Sequence, residues 1–277
     1  MILMMLYCLE HKIKFILYSE DANFGYKNGW TDYFQPFCTE VNHFFHKKYN
    51  LREYLIVPPF TKSERVKKKY YKITHNIDLF TQDLWRFIRN REMESRHYSF
   101  PELGIDGNLI AACRTLIEFT WQYNPAVKEI IQKKIQDTHL PTEYIGLHIR
   151  AGDKFVEHNL IEPDAYIKKA ESLSKLRKAF ILTDDYAIIE YLEKHYPYWE
   201  FHTFCQTTER GYIHSKFQEQ TKEEKKEAHY KLFASIDILS NSSLFIGTFS
   251  SNPGMYLGMR MPEGKCIGID LEKWQIW

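Results

Sequence analysis

The half of the chain after Pro141 alternates between short apolar runs and amphipathic segments, and this pattern constrains the fold most strongly. The apolar runs are YIGLHI, KAFIL, WEFHTF and SLFIG, and the segments between them include PDAYIKKAESLSKL and YAIIEYLEKHYP. Strands that alternate with helices are typical of βαβ units, in which helices cover both faces of a parallel sheet. The sequence therefore predicts an α/β fold, with a Rossmann-like lobe in residues 141–277.

The preceding half has a different pattern, which predicts a separate and mostly helical α/β lobe in residues 1–140. Its start, MILMMLYCLEHKIKFILYSE, lacks the basic region and small-residue cleavage site of a signal peptide, so we expect a buried helix followed by a strand. Between Asp83 and Gln136 apolar residues recur at helical spacing, interrupted by Pro101 and Pro125.

Composition excludes several broad classes of function. The formal charge is +1, which gives no overall electrostatic reason to bind nucleic acid or an anionic membrane. The basic run at residues 62–69 is typical of a solvated face. The five cysteines are scattered and form no CxxC pair, which argues against a zinc ribbon or a disulfide framework. We therefore expect a cytoplasmic protein without a membrane span.

Polar residues follow the predicted strands, at the edge where parallel α/β sheets bind ligands. Arg150 and Lys154 follow YIGLHI, and Gly152 allows the backbone to approach a ligand closely. Such cations bind a phosphate or diphosphate, although an Arg and Asp pair can equally connect two loops. Both interpretations stay open on this segment alone.

Two further strand ends carry candidate ligand-binding groups. TFSSNPG, from Thr248 to Gly254, offers hydroxyls, an amide and a helix start that favours an anion, while Ser251 or Asn252 can also cap that helix. The acids of LTDD suit a metal, a hydroxyl or a base edge, and capping of the next helix is the favoured interpretation. The sequence lacks the motifs GxxxxGK[ST], HExxH and GxSxG, and no GxGxxG follows a predicted strand. These absences argue against P-loop, zinc-protease, hydrolase and dinucleotide-binding functions.

Several segments in sequence order resemble the α1,6-fucosyltransferase family and its relatives among the nodulation and protein O-fucosyltransferases. HIRAGDK resembles that family's HxRRTDK-type signature. Four later segments are also similar to the family: FILTDD, HYPYWEF, DILSNSSLFIGTFSSN and PEGKCIGIDLEKW. An earlier segment, NFGYKNGWTDYFQPFCTE, is similar to its aromatic Gly-Trp loop. The resemblance spans nearly the whole chain.

The resemblance implies a two-lobed, GT-B-like fold that transfers fucose from GDP-fucose with inversion and without an obligatory metal or other cofactor. It places Arg150 at the β-phosphate, where it stabilises the leaving GDP, and Lys154 and Glu157 beside the fucose, with Glu157 removing the acceptor proton. Asp153 is expected to orient one of these cations. The implied donor-binding residues are His148, Arg150, Asp184, Asp185, Asp237, Thr248, Ser250, Ser251 and Asn252.

The chain departs from the family pattern at three positions. Ala151 replaces the second arginine of the signature, and Glu157 follows Lys154 by three residues rather than four. The guanine-reading acid is expected at Ser235, yet the nearest acid is Asp237, which lies about 200° further around a helix.

The expected function is thus a metal-independent fucosyltransferase, with a nucleotide-sugar donor, a glycan or glycoconjugate acceptor and no nucleic-acid partner. Two alternatives stay open: a related glycosyltransferase with another nucleotide sugar, and a glycan-binding protein of the same fold that turns over weakly. We expect residues 1–140 to form the acceptor side and residues 141–277 to bind the nucleotide sugar.

Overall fold

The computed structural model describes residues 1–22, 24–50, 60–151, 161–212 and 214–276. Contacts between residues divide the chain into two compact units, Met1–Gln122 together with Ile276, and Tyr123–Gln275. None of the helices in the described part of the chain combines the length and apolar character that crossing a bilayer requires.

Among the described residues of the first unit, the regular structure is mainly helical, with two small pairs of strands. Its helices are α1 (Ile2–Glu10), α2 (His46–Tyr49), α3 (Lys62–Thr74), α4 (Thr81–Arg89) and α5 (Leu109–Thr120). Its strands are β1 (Ile16–Leu17) and β2 (Thr39–Glu40), which pair in parallel, and β3 (Tyr98–Phe100) and β4 (Ile105–Gly107), which pair antiparallel. The predicted opening helix and following strand are confirmed by α1 and β1.

The β3–β4 hairpin interrupts the stretch from Asp83 to Gln136, for which the helical spacing predicts mostly helix. That prediction is confirmed, because helices cover residues 83–89, 109–120 and 125–136. Pro101 begins the short 3-10 helix between the two strands, and Gly104 ends it with a φ of +66°, a left-handed conformation that favours glycine. The Pro-x-x-Gly spacing therefore marks a reversal of the chain as well as a helix boundary.

The aromatic Gly-Trp loop of the first unit is held by a carboxylate. The backbone N–H groups of residues 26–29 donate to Asp32 at 2.6–3.0 Å. Burial alone would raise the pKa of Asp32, but these hydrogen bonds outweigh it and lower the pKa. The loop is thus fixed by hydrogen bonds as well as by the stacking of Trp30 on Phe34, whose ring centroids lie 4.4 Å apart.

The second unit contains a five-stranded parallel sheet, which confirms the predicted α/β pattern. Its strands are β5 (Ile145–His148), β6 (Lys178–Leu182), β7 (Glu200–His202), β8 (Leu244–Gly247) and β9 (Cys266–Gly268). Its helices are α6 (Pro125–Asp137), α7 (Pro163–Leu173), α8 (Tyr186–His195), α9 (His214–Glu219), α10 (Lys222–Ser240) and α11 (Asn252–Arg260). The strand order is β7-β6-β5-β8-β9, and all neighbouring strands are parallel.

Alternate residues of β5 pack on helices at opposite faces of the sheet. Ile145 and Leu147 are fully buried in a core that includes residues of α7 and α8. Gly146 faces α10, where an added Cβ would lie 2.9 Å from Leu239 Cδ2. The four residues of β5 are all buried, as expected for a central strand covered on both faces.

Helix α6 packs in the second unit, although it lies before residue 140 in the sequence. It contacts α10, and Lys134 of α6 forms an ion pair with Glu227 of α10. The division between the two units falls after Gln122, earlier in the chain than the predicted boundary.

The strand order reverses between β5 and β8. From β5 the chain steps outward to β6 and then to β7, and afterwards it returns to place β8 on the other side of β5. The loops after β5 and β8 therefore lead away in opposite directions, and open α/β sheets commonly bind ligands in a crevice outside the carboxyl ends of two such strands. His148 and Thr248 lie at these strand ends, as the last residue of β5 and the first after β8.

Candidate active site

A buried pair of side chains joins the ends of β5 and β8. His148 is 6% exposed, and its Nδ1 lies 3.3 Å from Oγ of Ser251, which is 1% exposed. The Ser251 hydroxyl also donates to the carbonyl oxygen of Thr248 at 2.7 Å and accepts from the N–H of Gly254 at 3.1 Å. The predicted cap on the helix after TFSSN is therefore confirmed, and Ser251 is fully engaged within the protein.

The imidazole of His148 is neutral at physiological pH. Burial lowers its pKa to about 4; the charge of Arg150 acts in the same direction, and Asp270 opposes them. The positive charge at this end of β5 therefore belongs to Arg150, which is half-buried two residues beyond the strand.

The lowered pKa of His148 predicts a loss of stability in acid. An unfolded histidine binds its proton near pH 6.5 and the folded His148 only near pH 4, so the unfolded state takes up more protons within this window. The contribution of His148 alone should lower the free energy of unfolding by up to about 3 kcal/mol as the pH drops from about 6.5 to about 4. Urea unfolding at both pH values measures this difference. It should shrink in His148→Asn and persist in His139→Asn, an exposed control; an unchanged difference in His148→Asn would contradict the assignment.

Asp184 ties the backbone beside Arg150 to a distant segment. Its carboxylate accepts from the N–H groups of Ala151 and Tyr212, each at 2.9 Å, and its carbonyl oxygen accepts from the N–H of Gly211 at 2.9 Å. Because Ala151 follows Arg150 directly, these bonds fix the chain from which the Arg150 side chain projects. Asp184 thus connects loops at the strand ends.

Asp185 has the capping role that the sequence favoured. Its Oδ1 accepts from the N–H of Ala187 at 2.9 Å, which satisfies a free donor at the start of α8. Within the described ranges, no group of three or more His, Cys, Asp or Glu side chains has the arrangement of a metal site.

The loop after β8 depends on a carboxylate that sequence reasoning missed. Asp270, which follows β9, accepts from the N–H groups of Phe249 at 2.7 Å and Ser250 at 2.9 Å. These two N–H groups lie in the predicted phosphate loop and are already paired with an anion. Asp270 could have been predicted from the sequence, because it is an acid that closely follows a strand, as Asp184 is.

Loss of the Asp270 carboxylate should loosen this loop. Asp270→Ala removes two charge-assisted hydrogen bonds and is expected to lower the free energy of unfolding by about 2 kcal/mol. Asp270→Asn retains one acceptor oxygen and should lose less. Urea titration of both variants checks this order, with the exposed acid replaced in Glu272→Ala as the control. Equal stability of Asp270→Ala and Glu272→Ala would refute the anchoring role.

Thr248 contributes a hydroxyl to the same strand ends. The residue is 9% exposed, and its Oγ1 makes no hydrogen bond to any other described residue. A buried polar atom without a hydrogen bond costs about 1–3 kcal/mol of folding free energy. A hydrogen bond between a ligand or water and the Thr248 hydroxyl would therefore be favourable. Asn252 is exposed at the first turn of α11, and Ser250 is half-buried in the same loop.

Asp237 lies on α10 in a buried ion pair. Its Oδ1 lies 2.8 Å from Nη2 of Arg260 in α11, and its Oδ2 accepts from the hydroxyl of Tyr123 at 2.8 Å. The hydroxyl of Ser235 donates to the carbonyl oxygen of Lys231 at 2.7 Å. Both oxygens of Asp237 are therefore engaged inside the second unit.

The remaining predicted catalytic residues, Asp153, Lys154 and Glu157, lie outside the described residues, as does Gly152. A cavity of about 560 Å³ lies elsewhere in the second unit, along α8, β7 and the end of α6. Its lining includes Tyr186 and Phe204 and none of the predicted site residues. The candidate site at the ends of β5 and β8 is therefore identified by strand order and side-chain chemistry.

The fold has counterparts among known structures. Comparison of the sequence with protein-family models and with curated proteins finds no match. A crystal structure of NodZ alpha-1,6-fucosyltransferase soaked with GDP-fucose matches with a TM-score of 0.53 and 13% identity, over 92% of this chain and 85% of that chain. The fucosyltransferase NodZ from Bradyrhizobium gives the same four values.

A third structure, of NodZ co-crystallized with GDP, matches with a TM-score of 0.51 and 13% identity, over 92% of this chain and 85% of that chain. The resemblance noted in the sequence is therefore accompanied by fold neighbours that are fucosyltransferases. The chain has the mixed α/β fold with a parallel sheet that is found in NodZ.

Proposed function

We propose that this protein is a glycosyltransferase that transfers fucose from GDP-fucose to a hydroxyl group of a glycan or glycoconjugate. The observation that carries the proposal is a coincidence of motif and fold. HIRAGDK, the segment that resembles the fucosyltransferase signature, begins at the end of β5, beside the reversal of strand order. The fold is shared with NodZ, which was crystallised with GDP and soaked with GDP-fucose.

The two units of the chain are proposed to bind different substrates. The second unit, Tyr123–Gln275, would form a Rossmann-like lobe that binds the nucleotide sugar, and the first unit, Met1–Gln122, would form the acceptor side of a GT-B-like enzyme. The reversal at the carboxyl ends of β5 and β8 supports donor binding, because open α/β sheets bind ligands where the strand order reverses.

Arg150 is proposed to stabilise the diphosphate as it leaves. A guanidinium forms paired hydrogen bonds with phosphate oxygens and keeps its charge at all relevant pH values. The neutral His148 and the hydroxyl of Thr248, which bonds to no other residue in the described part of the chain, supply uncharged hydrogen-bonding groups at the same strand ends. Ser250 and Asn252, at the loop and the start of α11, are proposed to complete the diphosphate site.

The transfer step is proposed to be an inverting displacement without a metal. Glu157 would accept the proton of the attacking hydroxyl as the new glycosidic bond forms, and GDP would leave with the electron pair of the broken bond. Lys154 would stabilise negative charge beside the sugar, and Asp153 would orient Lys154 or Arg150. These roles rest on the resemblance of the loop sequence to the family signature.

A related enzyme with another nucleotide sugar is the second candidate. It is favoured by the hydrogen bonding of Asp237, whose two carboxylate oxygens are engaged by Arg260 and Tyr123. Ala151 favours it as well, because its methyl group cannot replace the phosphate contacts of a second arginine.

A thermal-shift panel of GDP, UDP, ADP and GDP-fucose tests the donor. A ligand that binds only the folded state raises the melting temperature by mass action, so GDP and GDP-fucose should raise it more than UDP or ADP at equal concentration. Equal or absent shifts for GDP and UDP would overturn the GDP-fucose assignment. Stabilisation by GDP without hydrolysis or transfer of any nucleotide sugar would favour a glycan-binding protein instead.

A further inference from the structure

Helix α3 directs its apolar side chains away from the first unit. Val66, Tyr70 and Ile73 are 69%, 62% and 73% exposed, and no residue of α3 with an apolar side chain is fully buried. Their spacing of four and then three residues places them in one stripe along the helix. This arrangement is the reverse of an ordinary surface helix, whose apolar stripe faces the core.

The opposite face of α3 is anchored by specific contacts. Lys68 and Lys72 place their Nζ atoms 2.6 Å and 2.9 Å from the carboxylate oxygens of Asp83 in α4. Between them, Tyr71 stacks on Phe45 with ring centroids 4.3 Å apart. These contacts fix the rotation of the helix, so the apolar stripe is oriented outward by the packing of the other face.

The start of α3 is held with equal specificity. Thr61 and Glu64 form a reciprocal capping box, with the N–H of Thr61 donating to Glu64 at 2.8 Å and the N–H of Glu64 donating to Thr61 at 3.3 Å. Glu64 also pairs with Lys48 of α2. Glu64 is the sole acidic residue in the sequence of α3, so its outer face carries no negative charge.

Four exposed cations flank the apolar stripe. At about 100° per residue, Lys62, Arg65 and Lys69 lie on one side of it and Lys67 on the other. All four are exposed, and none forms an ion pair with another described residue. We call these four cations, together with Val66, Tyr70 and Ile73, the outer face of α3.

We propose that the outer face of α3 binds the surface of a bilayer that contains anionic lipids. A helix lying in the plane of such a surface buries apolar side chains at the boundary of the acyl chains and places its cations among the lipid phosphates. The stripe and its two basic flanks meet both requirements. Phe44, 79% exposed with its ring 6.1 Å from Tyr71, adds a large apolar side chain beside the helix.

Charge complementarity identifies an anionic surface as the partner. The net charge of the whole protein is +1, so attraction to an anionic bilayer must come from a local group such as these four cations. Because they are distributed along both flanks, they match a plane of mobile headgroups rather than a single anion. The proposal concerns the first unit and does not depend on the identity of the nucleotide sugar.

Vesicle flotation of the full chain provides the test, with phosphatidylcholine vesicles that contain or lack about a third phosphatidylglycerol. Binding should require the anionic lipid and should weaken at high salt. The variant Arg65→Gln, Lys67→Gln, Lys69→Gln should bind about 100-fold more weakly, since each charge contributes about fivefold. Val66→Ser, Tyr70→Ser, Ile73→Ser should also release the protein from anionic vesicles.

The matched control is Lys133→Gln, Lys175→Gln, Lys194→Gln, which removes the same charge from exposed positions of the second unit. It should bind as tightly as the original protein, and circular dichroism should show that all three variants fold. Equal loss in this control, or equal binding to both kinds of vesicle, would overturn the proposal. Absence of vesicle binding together with capture by polyglutamate would assign the face to an acidic protein and would overturn it as well.

Discussion

Replacement of Arg150 by alanine is expected to lower fucosyl transfer by about 10³-fold, because it removes the guanidinium that we propose stabilises the leaving diphosphate. The effect should be large in this chain since Ala151 stands where the family signature has a second arginine. Arg150→Lys keeps the charge but loses the paired hydrogen bonds, so it should be intermediate.

Initial rates of transfer from GDP-fucose measure this loss, and Lys175→Ala provides the control, since it removes an exposed positive charge before the start of β6. Folding is checked by the imidazole signal of His148 in nuclear magnetic resonance. Its pKa should rise in Arg150→Ala, because the Arg150 charge contributes to lowering it. Transfer within tenfold of the original rate would remove Arg150 from the diphosphate site.

Replacement of Asp237 by alanine is expected to lower the free energy of unfolding by about 3 kcal/mol. The change leaves the guanidinium of Arg260 largely buried without its carboxylate partner and removes the acceptor of the Tyr123 hydroxyl. Breaking a buried ion pair from one side costs about 3–5 kcal/mol, because the remaining charge stays desolvated.

Urea unfolding of Asp237→Ala, Arg260→Ala and the double variant measures the pairing. The double variant should lose much less than the sum of the single losses, because residues of one ion pair are coupled. The control is Asp137→Ala, which replaces an exposed acid. A loss no larger than that of Asp137→Ala would show that the pair contributes little, and a loss of GDP preference without a loss of stability would favour a guanine-reading role.

The fold of the second unit could be predicted because its sequence pattern reflects local physical constraints. Apolar runs such as YIGLHI can be buried only between two layers of helices, and the segments between them have helical spacing. The β3–β4 hairpin could not be predicted from periodicity, since its strands have three residues each. At that length alternation does not distinguish a strand from a break between helices.

The sequence predicts which strand ends form the candidate site, but it predicts few of the contacts made there. Arg150 and Thr248 were predicted because they follow strands, and His148 was predicted from the resemblance to the fucosyltransferase signature; the sheet order brings the ends of these two strands together. The hydrogen bonds of Asp270 to Phe249 and Ser250 join segments about twenty residues apart, and no local pattern reveals such a pairing. The ion pair of Asp237 with Arg260 was equally hidden.

The anchoring of Ala151 by Asp184 has a consequence for how this protein can change. Asp184, which follows β6, accepts a hydrogen bond from the N–H of Ala151, the first residue after Arg150. The position of Arg150 therefore does not depend on the length of the sequence that follows. The one-residue difference between Lys154 and Glu157 is a change of this kind. A change in the number of residues between Lys154 and Glu157 would therefore leave the arginine that is proposed to bind the diphosphate in its place.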